Sequence, residues 1–190
     1  MATNEAIVKK KEMQLNFLKG TLIACMITCA LVIAYWCYVD FFLGSMAKKD
    51  GTVLNSMNGL SVIIVSSALG FAASMIKFNH LREVISDDTL HQSLQQFMTR
   101  TSQFIYTSQG ILITNAFSFI FWAWYTSANN VTQYQDKAGQ LHDFTSQNMI
   151  WLGLMVLAVV ASALNLFAAV QLDRKEKSSK KNATTKKTRR

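Results

Sequence analysis

Four stretches of this chain carry no charged residue at all: Gly20 to Val39, Gly51 to Ile76, Thr101 to Gln135 and Phe144 to Leu172. A helix with one face in water needs polar and charged side chains recurring along that face, so four uncharged windows of this length are foreign to a water-soluble bundle. About 20 mainly apolar residues, rising about 1.5 Å each, cross a hydrocarbon core roughly 30 Å thick. All four runs reach that length. The first is longer than the apolar region of a cleaved signal peptide, and no small-x-small cleavage site followed by a polar mature chain comes after it. Transmembrane β-strands would alternate polar and apolar residues; Ser61-Val-Ile-Ile-Val65 and Leu154-Met-Val-Leu-Ala-Val-Val-Ala161 do not alternate.

The sequence therefore predicts an all-α membrane protein. Its core is a four-transmembrane-helix bundle over 21–172, with spans at about 21–43, 55–77, 104–126 and 148–171. Residues 1–20 form a basic N-terminal segment, in which Ile7, Val8, Leu15 and Leu18 fit a short interfacial helix as well as a disordered tail. Residues 173–190 hold nine basic and two acidic residues and nothing apolar after Leu172 except Ala183, which predicts a basic disordered tail.

With four spans, 16 of the 19 Lys and Arg lie on one side and only Lys48, Lys49 and Lys137 on the other. The positive-inside rule then puts both termini in the cytoplasm. Aromatics gather at the opposite boundary: Tyr35, Trp36, Tyr38, Phe41 and Phe42 at the outer end of span one, Phe121, Trp122, Trp124 and Tyr125 at the outer end of span three, and Phe144 and Trp151 where span four opens. Rings of this kind favour the membrane–water interface.

Between the spans, Ala47–Thr52 reads as a compact outer turn with Asp50-Gly51 as its signal, and 126–148 as a longer polar outer loop. That loop carries an acceptor sequon, Asn130-Val131-Thr132, marking Asn130 as a candidate glycosylation site. From 77 to 103 there is neither Gly nor Pro. Leu81, Val84 and Ile85, then Leu90, Leu94, Phe97 and Met98, recur at near-heptad spacing on either side of Ser86-Asp-Asp-Thr89. This predicts a cytoplasmic helical hairpin extension between spans two and three, with a capping pair at Thr89 and Gln92.

Span two is small rather than greasy. Ser66, Gly70 and Ser74 recur every four residues, and span four repeats the idea with Ala158, Ser162 and Asn165. Inside lipid, helices associate by close packing and interhelical hydrogen bonds, so such faces predict helix contacts, here between span two and span four or a partner protein. Asn115 and Asn165 are amides inside spans three and four and should each find a hydrogen-bond partner. Thr28, Thr114 and Ser118 can bond their own helix backbone. Cys25, Cys29 and Cys37 all lie in span one without the further ligands of a metal set, and read as small buried side chains. The spans hold essentially no ionisable residue by this reading, which speaks against a coupled transporter built from one chain.

No catalytic, cofactor-binding or metal-binding motif stands out. The expected function is non-enzymatic and without a cofactor: helix–helix assembly as an accessory subunit, scaffold or membrane-protein chaperone. The alternative is a small oligomeric channel or transporter. The expected partners are the lipid bilayer, anionic lipid headgroups through the C-terminal tail, and another membrane protein or a second copy of the chain; nucleic acid is not expected.

Overall fold

The computed structural model describes residues 2–54, 57–86 and 101–187. The chain is about four-fifths helical. Helix α1 (Ala2–Tyr38) passes through a π-helical turn (Val39–Leu43) into strand β1 (Ser45–Lys48). Helix α2 (Met57–Ser86) and helix α3 (Thr101–Ala128) follow, then strands β2 (Val131–Gln135) and β3 (Leu141–Asp143), and last helix α4 (Thr145–Lys187). Four helical segments are long and apolar enough to cross a membrane: Met13–Leu43, Ser61–Arg82, Phe104–Ala128 and Thr145–Leu172.

The buried positions of each helix step alternately by three and four residues. On α2 they include Ile63, Ser67, Gly70, Ser74, Lys77 and Leu81; on α3, Phe104, Ser108, Ile111, Asn115, Ser118 and Trp122. α1 and α4 keep the same beat, from Leu15 to Val32 and from Trp151 to Leu172. A 3.5-residue repeat keeps one seam of each helix facing its neighbours, which is the packing of a four-helix bundle. α1 packs against α2 and α4, and α3 packs against the same two helices. The four thus form a square in which α2 and α4 are diagonal. Large apolar side chains on the other faces, among them Val65, Leu69, Ile113, Ile120, Leu157 and Phe167, are exposed, as a lipid-facing surface requires.

One end of the bundle is closed by a feature outside the all-α expectation. The segments read as an outer turn and a polar loop form a three-stranded antiparallel sheet, in the order β1-β2-β3. Met46 lies opposite Tyr134, and Tyr134 opposite His142. Val131, Thr132 and Tyr134 suit a strand, and pairing to β1 satisfies backbone groups that a loop beside lipid would leave open. The strand signal was hidden because Gln and Asn dominate the segment and only Val131 of β2 is buried. Gly44 makes the turn from helix to sheet: its φ is +116°, and a Cβ there would stand 2.1 Å from the Gln135 carbonyl oxygen. Beneath the sheet, Val32, Met46, Ile63, Trp122, Phe144, Trp151 and Met155 form one apolar cluster, with the Trp122 and Trp151 rings 4.6 Å apart.

At the far end, the tail expected to be disordered continues α4 as helix through Lys187. Extending a helix that already exists needs no new nucleus, and Lys, Arg, Glu and Ala without Gly or Pro propagate it. α1 is likewise helical from Ala2. The hairpin extension expected between spans two and three lies, over 87–100, outside the described residues.

Candidate functional site

The bundle interior is polar where a membrane protein's centre would be expected to be oily. Its chemistry begins at Lys77. This residue, at which the charge pattern ended span two, occupies a core position on α2 and is only 5% exposed. Its ammonium donates to the Phe104 carbonyl oxygen and to Ser108 Oγ, both at 2.6 Å, and lies 4.2 Å from the centre of the Phe104 ring. Ser108 Oγ donates in turn to Asn165 Oδ1 at 2.8 Å, and Asn165 Nδ2 donates to Thr21 Oγ1 at 3.1 Å. Thr21 Oγ1 donates to the Leu18 carbonyl oxygen at 2.8 Å. One chain of hydrogen bonds therefore joins α2, α3, α4 and α1 in a single layer.

The next turns toward the sheet repeat the pattern. Asn115 Nδ2 donates to Ser162 Oγ at 2.6 Å, and Ser162 donates to the Ala158 carbonyl at 2.6 Å. The Cys25 thiol approaches Ser162 Oγ at 4.0 Å, and the Cys29 thiol reaches Asn115 Oδ1 at 3.5 Å. Gly70 makes room for this arrangement, since a Cβ there would stand 3.1 Å from Asn115 Oδ1 and 3.3 Å from Cys29 Sγ. Ser74 bonds back to the Gly70 carbonyl at 2.8 Å, and Ser66 shares a hydrogen bond with Ser118 across the α2–α3 seam. Below Lys77, Leu18, Leu22, Leu81, Phe104, Ala169 and Leu172 close the far end with apolar side chains. The polar axis is thus sealed by an apolar layer at each end.

The six small or polar residues picked from the sequence as packing positions are all buried: Ser66, Gly70, Ser74, Ala158, Ser162 and Asn165. Their pairing differs from the expectation. The Ser66/Gly70/Ser74 face meets α1 and α3, because α4 stands across the diagonal. Asn115 and Asn165 each bond a side chain of another helix. Thr28, Thr114 and Ser118 bond carbonyls of their own helices, with Ser118 also meeting Ser66. Asn130 is exposed in the turn between α3 and β2 with φ +50°, and its carbonyl accepts from the Lys49 N–H at 3.2 Å.

Lys77, Ser108 and Thr21 escaped the sequence reading. The signal was present in the beat of α2: Ile63, Ser67, Gly70 and Ser74 lead by threes and fours straight to Lys77 and on to Leu81. Ending the span at the first charge hid it. Along this axis the buried polar side chains are hydroxyls, two amides, thiols and one amine, and no carboxylate is buried among the described residues. No cluster of three His, Cys, Asp or Glu occurs among them. The axis is rich in N–H and O–H donors and, among the described residues, holds a single buried amine. No family model, curated protein or solved structure matches this chain.

Proposed function

We propose that this is an integral multi-pass membrane protein, with both termini in the cytoplasm, that acts without chemistry of its own. Its work is helix–helix assembly, as an accessory subunit, scaffold or membrane-protein chaperone. The observation that carries this reading is that the polar side chains of the axis, from Lys77 through Ser108 and Asn165 to Thr21 and from Asn115 to Ser162, bond to one another, which leaves recognition to the outside. The lipid-facing flank offers a groove of about 480 Å³ between α2 and α3, walled by Val62, Val65, Leu69, Ile113 and Phe117. The helical basic arms of α1 and α4 leave the bundle at the far end, where the charge bias places the cytoplasm. There each basic residue near an anionic surface contributes about 1 kcal/mol of attraction.

A photo-crosslinking amino acid at Val65 or Leu69, with Leu31 on the α1 flank as control, tests the proposal in native membranes. A discrete adduct from the groove positions alone supports it. A chain that elutes alone in mild detergent and gives the same background from all three positions refutes it.

A second reading, a small channel or transporter, is favoured by one observation: Asn115, Asn165 and the serines of α2 converge on a common axis instead of facing lipid. Solute flux in reconstituted vesicles separates the two.

A further inference from the structure

The buried ammonium sets the character of the axis. Lys77 has no carboxylate partner among the described residues, although its hydrogen-bonding protons are well placed. A cation approaching along the bundle would meet a like charge in a medium of low dielectric constant, where that repulsion is far stronger than in water. An anion would meet the opposite. The groups stacked toward the sheet from Lys77 are donors: the Ser108 and Ser162 hydroxyls and the Asn165 and Asn115 amide nitrogens. Each now donates to an internal acceptor and can turn that hydrogen toward a passing anion instead. Lys19 and Arg82 stand at the same end of the bundle as Lys77, so the local field draws anions toward that end. Apolar layers at both ends match the hydrophobic constrictions that close a conduit by expelling water.

We infer that the bundle's own axis is a path for a small monovalent anion, shut in this state by the Leu22/Leu81 layer at one end and the Ile63/Met155 layer at the other. This rests on the second of the two functional readings, with the path inside one chain rather than between copies.

The test uses the full chain in proteoliposomes loaded with a halide-quenched dye, the membrane potential clamped by valinomycin. A variant with Leu81→Ala and Ile63→Ala thins both seals by one side chain each. Bromide entry should rise well above that of the native protein while sodium stays excluded. Adding Lys77→Gln should lower the anion-to-cation preference by on the order of tenfold or more, and Lys77→Arg should keep it. A companion measurement needs no variant. In the native chain labelled with ¹⁵N-lysine, the Lys77 ammonium resonance should move when bromide replaces a bulky organic anion, and that of Lys49 should not. Flux whose selectivity ignores Lys77 overturns the inference and leaves conduction between copies standing. Absence of flux from a folded, thinned variant overturns both. Where that variant does not fold, a static Lys77 resonance alone overturns the inference.

Discussion

Replacing Gly44 by alanine should detach the sheet from the bundle. Gly44 carries φ +116° with ψ −153°, a region that only glycine occupies without strain, and forcing a side chain there costs about 1–3 kcal/mol. The new Cβ would also stand 2.1 Å from the Gln135 carbonyl oxygen and 3.1 Å from the Asp136 Cα. Those are backbone atoms at the last residue of β2 and the one after it, so relief requires β1 and β2 to separate by roughly 1 Å, well beyond the spread of a protein hydrogen bond. Ser45 pairs with Gln135 at that point, so the first pair of the β1–β2 ladder is lost as well. Two lost bonds at about 0.5–1.5 kcal/mol each, added to the strain, give a total destabilisation on the order of 2–6 kcal/mol. Thermal unfolding in mild detergent, followed by tryptophan fluorescence, measures it, because Trp122 and Trp151 lie beneath the sheet. Gly110→Ala and Gly153→Ala are the controls: nothing stands within 4 Å of a Cβ at either, and alanine in a helix is favoured by about 1 kcal/mol. A Gly44→Ala protein that melts with the two controls would refute the reasoning about the turn.

Three other outcomes follow from the geometry. Lys77→Met should leave stability nearly unchanged or raise it, since an apolar side chain of similar length removes a desolvated charge, whereas Ser108→Ala, which strips the ammonium of an acceptor, should cost about 1–3 kcal/mol in the same melting assay. A double-mutant cycle on Asn115→Ala and Ser162→Ala should give a coupling of about 0.6 kcal/mol, the average for such bonds in lipid, and a coupling indistinguishable from zero would remove that bond from the axis. In the β2–β3 hairpin, Asp136 is held below the ordinary carboxylate range, first by its bond to His142 Nε2 at 2.9 Å and then by the Gln140 and Ala138 N–H groups. Because the folded state favours the ionised form, this contribution is complete above the unfolded carboxylate pKa of about 3.9 and disappears as pH falls through the lower folded value. Hydrogen exchange of the Gln140 amide should show that step on acidification, and Asp136→Asn should abolish it.

The four helices long and apolar enough to cross a membrane were legible because uncharged length is itself the physical requirement for crossing lipid. The small faces were legible for the same kind of reason: Ser66, Gly70, Ser74 and Ser162 repeat at helical spacing and are buried at that spacing. Which face meets which was not, since spacing on one helix carries no information about a square or a diagonal neighbour. The sheet was obscured because its strands are short and pair between loops far apart in the chain, Met46 with Tyr134, 88 residues on. Such a contact leaves no local period beyond the alternation around Val131. Lys77 was misplaced by treating charge as the edge of a span. An ammonium that can donate to a backbone carbonyl and a hydroxyl is tolerated inside the bundle, and the threes-and-fours of α2 outrank the charge in deciding where the residue points.

Amine-selective labelling of the native chain in mild detergent, read by mass spectrometry, tests most directly whether a lysine lies at the heart of a polar axis. The account predicts that Lys48, Lys49 and Lys137 at the sheet end are modified quickly while Lys77 stays unmodified until the bundle is denatured. Modification of Lys77 at the rate of Lys49 in the folded protein would contradict it.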